Sequence, residues 1–248
     1  MYYLLSSFGV LLGLIIAVLR VKIKWFSLPV FLYLALNILS FFVVSKLFGL
    51  LSYGIHLINR GALSFTRLWN ETGYIIWGAI IGFSLSAILL AKKFKIKKKD
   101  AYLISALIIT SFHWMAKLGC FHAGCCYGII SDSTIAMLPV TSIGPVVERI
   151  PVQLIESIIV FIIWCIIILF SFSQRLHKHT LSFYLFIYAI TRFVLEFFRG
   201  DYTRGKIGCF YFSQWISISV LLVIIVIYIF MFIKKINQRS KKNEKKFC

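Results

Sequence analysis

Seven apolar runs succeed one another along the chain, at about 1–19, 25–45, 73–91, 101–116, 152–172, 181–198 and 212–233. Most approach the roughly 20 residues that carry a helix across a bilayer. The fourth is shorter and passes into a segment rich in cysteine and glycine. The pattern predicts an all-α integral membrane protein of seven transmembrane helices. A single transmembrane domain covers 1–233, and a basic cytoplasmic tail covers 234–248. The long connection 46–72 holds Tyr53, Arg60, Arg67 and Trp69. It reads as an outer loop or a helix lying in the interface.

The polar stretches between runs fix an orientation. Arg20, Lys22 and Lys24 follow the first run, six lysines fill 92–99, Arg175 and Lys178 follow the fifth run, and seven basic residues occupy the tail. These alternate connections hold eighteen of the 27 basic residues. Basic residues collect on the cytoplasmic side, so the N-terminus is expected outside and the C-terminus inside. The first run lacks the basic residues that precede the apolar core of a signal peptide, and is expected to be a retained helix.

Composition narrows the class. Apolar residues make up 60% of the 248, charged residues only 14%, and the net charge is +19. A soluble domain is about 25% charged. In a soluble chain such a charge would point to nucleic acid; here it falls in blocks between apolar runs, so no nucleic-acid partner is expected. Cys165 lies mid-span and Cys248 ends the chain, which argues against a secreted disulfide framework.

Charged residues within the spans mark the candidate chemistry. Arg192, Glu196 and Arg199 stand at i, i+4 and i+7 in the sixth run, on one predicted helical face. Each such group costs about 2.5–3.5 kcal/mol at the centre of a spanning helix, so pairing and an inward orientation are expected. The fifth run opens Pro151, Gln153, Glu156. Glu156 is a candidate partner for Arg192 or Arg199. Inner ion pairs that merely hold the bundle are the plainer reading; a polar pocket within the membrane is the functional one.

The segment His113–Gly128 reads HWMAKLGCFHAGCCYG. Gly119, Gly124 and Gly128 are expected to break the helix and open backbone N–H groups toward an anion, with Lys117 beside them. Cys120, His122, Cys125 and Cys126 have the residue types of a metal site. Their spacing is not a standard one, and adjacent Cys125 and Cys126 seldom reach one ion. A disulfide within the cluster is a further alternative. The expectation is a backbone pocket that holds no metal.

Three motifs in this order, GCFHAGCCYG, RIPVQLIES and RFVLEFFRGDYTRG, resemble those of the bacterial prolipoprotein diacylglyceryl transferases. The resemblance covers about 74–205; the first seventy residues agree in topology only. It implies an enzyme of the bacterial inner membrane that moves the diacylglyceryl group of phosphatidylglycerol to the thiol of a lipobox cysteine in a prolipoprotein signal peptide, with no cofactor. By this resemblance Arg192, Glu196, Lys117 and His113 are catalytic. Arg199, Gln153, Glu156, Tyr127, Gly119, Gly124 and Gly128 bind substrate. Lys117 stands where the family has arginine, and Ile76-Trp77-Gly78 where it has histidine or tyrosine before two glycines. Ile150 and Ile155 replace polar residues of the second motif. A catalytically impaired relative that binds lipid or lipoprotein, and a small-solute membrane transporter, are the other readings.

Overall fold

The structure, a computed structural model, describes residues 1–138, 147–201 and 204–247, with the side chains of the last helix described as far as Gln238. Eight helices follow in order: α1 (Tyr2–Arg20), α2 (Leu28–Asn59), α3 (Phe65–Glu71), α4 (Ile76–Ala91), α5 (Lys98–His122), α6 (Val152–Phe170), α7 (Thr180–Leu195) and α8 (Phe212–Phe247). Six are long and apolar enough to cross a membrane. A seventh crossing arises if α3 and α4, bent by 76° at their break, count as one span. A short antiparallel hairpin, β1 (Lys206–Ile207) and β2 (Phe210–Tyr211), precedes α8. It is a small addition to the expected all-helical fold.

The central element is α5. In its most apolar window 83% of residues are buried inside the protein, against 22% for α1 and α2 and 11% for α8. It packs against α1, α4, α6 and α7. The peripheral helices turn leucine, valine and phenylalanine outward, among them Leu11, Phe31, Val226 and Phe230. Outward apolar side chains are what a lipid solvent selects.

Small residues set the tightest contacts. Gly9, Gly13 and Ala17 repeat every fourth position on α1 and are buried. A Cβ on Gly13 would stand 2.8 Å from both Ile108 Cα and Leu107 O of α5. On α4, a Cβ at Gly78 would stand 2.7 Å from Ser45 Cα of α2. Lipid tails are as apolar as leucine, so close backbone approach through small residues drives such pairing.

Two boundaries differ from expectation. Residues 46–59 are not part of a loop: α2 continues through them to Asn59. The stretch stays apolar, and its Lys46 donates to Thr72 O at 2.8 Å and Trp69 O at 3.3 Å, capping the end of α3. The fourth run does not break at Gly119 either, because α5 remains helical to His122. The basic tail continues α8 to Phe247. The side chains of Arg239 and the lysines beyond it, and Cys248 altogether, lie outside the described residues.

Candidate functional site

Lys117 near the end of α5, Glu156 in the first turns of α6 and Arg192 near the end of α7 meet at one end of the bundle. Glu156 is the centre. Its Oε2 lies 2.9 Å from Lys117 Nζ and 3.3 Å from Arg192 NH1. Its Oε1 accepts from Tyr188 OH at 2.9 Å and lies 3.2 Å from His113 Nε2. Arg192 turns its other terminal nitrogen to Glu196 Oε2, 2.8 Å away. All six side chains of this network, Lys117, Glu156, Arg192, Glu196, Tyr188 and His113, are buried.

The i, i+4 pair Arg192–Glu196 forms as the spacing predicts, and Arg192 rather than Arg199 takes Glu156. Arg199 departs from the expected face. The α-helix ends at Leu195, residues Glu196–Phe198 tighten into a 3₁₀ turn, and Arg199 has extended backbone. Its Nε donates to Asp201 Oδ1 at 2.8 Å. Arg204, which the sequence reading did not single out, reaches back to Glu196 Oε1 at 2.8 Å. Its Nε donates to Asp201 O at 2.6 Å.

Two more partners were legible but unused. Tyr184 and Tyr188 precede Arg192 at intervals of four, so hydroxyls, guanidinium and carboxylate form one stripe along α7. Tyr184 OH lies 2.9 Å from His113 Nδ1. Both ring nitrogens of His113 are therefore engaged. Trp77, next to Ile76, is buried with its ring 4.9 Å from that of Tyr188.

The remaining expected residues build the wall beside this network. Gly124 takes φ +68° and turns the chain out of α5. Gly119 sits within α5, where a Cβ would stand 2.9 Å from the Tyr2 ring, so its open face receives α1. Gly128 is wedged between Ile150 O and Phe198 O and pairs in a bridge with Arg199. Tyr127 O accepts from Gly200 N at 2.9 Å, and the Tyr127 ring lies 4.5 Å beneath the Arg149 guanidinium. Gln153 Nε2 donates to Cys125 O at 2.7 Å, tying the cysteine turn to α6. Lys117, Arg192, Glu156, Glu196 and His113 thus converge. Gln153, Tyr127 and Gly128 shape the turn around them, and Gly119 serves the packing of α1.

Charge balance at this end is uneven. Lys117, Arg192, Arg199 and Arg204 face three carboxylates, Glu156, Glu196 and Asp201. Counted over carboxylates alone, the cations exceed the acids by one among the described residues, and the Cys126 thiol adds to the acidic side. The buried Nε–H of Arg192 has no hydrogen-bond partner among the described residues. Cys126, outside the helices, is held well below the ordinary thiol range. Hydrogen bonds from Cys120 and Cys125 contribute most, and the cations of Arg199 and Lys117 add to them against the opposing effect of burial.

The family model described as prolipoprotein diacylglyceryl transferase matches residues 1–230, a longer stretch than the three motifs cover. The chain is 34% identical over 154 residues to phosphatidylglycerol–prolipoprotein diacylglyceryl transferase 2 of Clostridium perfringens, across 60% of this chain and 59% of that protein. It is 33% identical over 156 residues to the corresponding transferase of Clostridium tetani, across 61% of each. Both alignments span less than two thirds of the relatives' own length. A transferase of the same name from Ehrlichia canis is 25% identical over 207 residues, 80% of this chain and 78% of that protein. With its apolar helices and a family match over nearly its whole length, this multi-pass helical membrane protein belongs to the prolipoprotein diacylglyceryl transferase family.

Proposed function

We propose that the chain transfers the diacylglyceryl group of phosphatidylglycerol to the lipobox cysteine of prolipoproteins. It does so in the bacterial inner membrane, with seven crossings, the N-terminus outside and the C-terminus cytoplasmic. The observation that carries this reading is the convergence of buried Lys117 and Arg192, with an Arg192 Nε–H that has no hydrogen-bond partner among the described residues. An anion entering there accepts from that N–H and is attracted by both cations. The lipid phosphate is that anion.

Lys117 and Arg192 hold the phosphate, and Arg199 guards its outer side. Glu196 and Glu156 orient the guanidinium of Arg192. His113, enclosed by Tyr184 and Glu156, is a positioning residue and not a base. Gln153, Tyr127, Gly124 and Gly128 shape the wall against which the glycerol moiety lies, and Gly119 keeps α1 close. The acceptor thiolate forms an S–C bond to the glyceryl carbon as its C–O bond to phosphate breaks. Glycerol phosphate leaves with the electron pair, and the thiol proton is balanced on the departing phosphate. Preorganised cations stabilise the charge that grows on that group.

A catalytically impaired lipid-binding relative is the second reading, favoured by the closed histidine and by Trp77. Membranes containing the chain, supplied with phosphatidylglycerol and a lipobox peptide, decide between them. Thioether product is expected, and Arg192→Ala is expected to lower its rate by about 10²–10³ while the protein still inserts. Lys117→Ala behaves similarly, and Lys117→Arg retains activity. Absence of product, with phosphatidylglycerol still bound through Lys117 and Arg192, makes the second reading the correct one.

A further inference from the structure

We infer that Cys120, Cys125 and Cys126 form a three-thiolate site for one soft divalent cation of the zinc class. The three Sγ atoms lie within 4.8 Å of one another. An ion bound to sulfur at about 2.3 Å in tetrahedral geometry spaces its sulfurs about 3.8 Å apart, so small side-chain rotations close the set. Adjacent cysteines seldom share an ion because their side chains diverge along an ordinary strand or helix. Here they do not diverge. Gly124 at φ +68° is followed two residues later by Cys126 at φ +59°, a left-handed conformation rare for any residue but glycine. The reversal brings both thiols back over Cys120 in the last turn of α5.

The turn is held from two sides. Cys125 N donates to Cys120 O at 3.2 Å, and Gln153 fixes the Cys125 carbonyl. Three thiolates with one divalent ion carry a net negative charge, and the Lys117 and Arg199 cations lie within electrostatic reach of Cys126 to offset it. Cys120 is buried and Cys125 exposed, which gives an ion an entry path from the surface. Three protein ligands leave a fourth position for water or an exogenous thiol, the arrangement of zinc sites that exchange ligands.

The test uses the full chain, purified in detergent under reducing conditions, and needs neither lipid nor acceptor peptide. It therefore stands or fails separately from the transfer assay. Zinc(II) is titrated against a chromophoric chelator, and thiol alkylation is followed by mass spectrometry with and without the ion. One zinc per chain is expected, with Cys120, Cys125 and Cys126 protected from alkylation while Cys209 stays reactive. Cobalt(II) in place of zinc should give thiolate-to-metal charge-transfer absorption sized for three sulfurs. Cys126→Ser should weaken zinc binding by more than about 100-fold, beyond what loss of an outer-sphere partner costs. Cys209→Ser should leave it unchanged. Zinc that fails to protect the three thiols, or a disulfide among them in freshly isolated membranes, overturns the site. The protection measurement uses the unaltered chain, so it holds even if Cys126→Ser does not fold.

Discussion

Glu156 answers to four groups at once: Lys117, Arg192, His113 and Tyr188. In a dry interior a single carboxylate that balances two cations is worth more as charge than as a hydrogen-bond acceptor. Removing one partner of a buried pair costs about 3–5 kcal/mol, because the other charge is left uncompensated. Glu156→Gln keeps the shape and removes the charge, so a stability loss of that order is expected in detergent unfolding. Adding Lys117→Met to Glu156→Gln restores the parent charge balance and should recover most of the loss. A double variant as unstable as the single one would mean that charge matching is not the role of Glu156. Arg192–Glu196 and the Glu156 partnership were legible because i, i+4 spacing and an acid at membrane depth leave few alternatives. Arg204 was not: it reaches Glu196 from eight residues further on, beyond the helix end, a contact that periodicity does not encode. Arg199 was misplaced because nothing in the seven-residue spacing announces the 3₁₀ turn at Glu196–Phe198.

At the scale of elements, the seams α1–α5 and α2–α4 are built on glycine. Gly13→Ala places a Cβ 2.8 Å from backbone atoms of α5, which cannot rotate away as a side chain would. The seam must open, so lower thermal stability of the purified protein is expected. Gly54→Ala on α2 is the matched control. Its Cβ would meet only Leu68 Cδ1, at 3.6 Å, and alanine favours the helix by about 1 kcal/mol. Equal effects of the two substitutions would remove close packing as the reason for Gly13. The positions of the helices were readable from apolar runs, since a membrane solvent demands them. Their ends were less so. Lys46 looked like a loop residue until its partners on α3 were seen, and Gly119 looked like a helix breaker although its missing side chain admits α1.

The whole molecule has two unlike ends. Lysines 92–99 and the 173–180 turn lie at one, where Asp100 and His177 also meet, Oδ1 to Nδ1 at 3.3 Å. The Glu156 network lies at the other, since Lys117 and Arg192 close their helices and Glu156 opens α6. If the basic asymmetry sets orientation, the lysine-rich end faces the cytoplasm. A cysteine introduced at exposed Asp132 should then be labelled by an impermeant maleimide from outside, and a reporter after Cys248 should be shielded from it. Outside exposure of that reporter would reverse the orientation or change the number of crossings.

The distribution of charge over α5, α6 and α7 bears also on the order in which a growing chain can settle. Lys117 arrives on α5 with no counter-ion of its own. It waits only until α6 brings Glu156, so the helical hairpin α5–α6 is already neutral. The next helix, α7, carries Arg192 and is followed at once by Glu196, which balances it. Arg199 follows with Asp201 two residues behind. Only Arg204 is added to the network without a further acid, and it comes after α5, α6 and α7 but before α8. That charge thus arrives once α5, α6 and α7 have been made and before α8 packs on α7. Within the network, each earlier stage from the α5–α6 hairpin onward holds its charges in pairs.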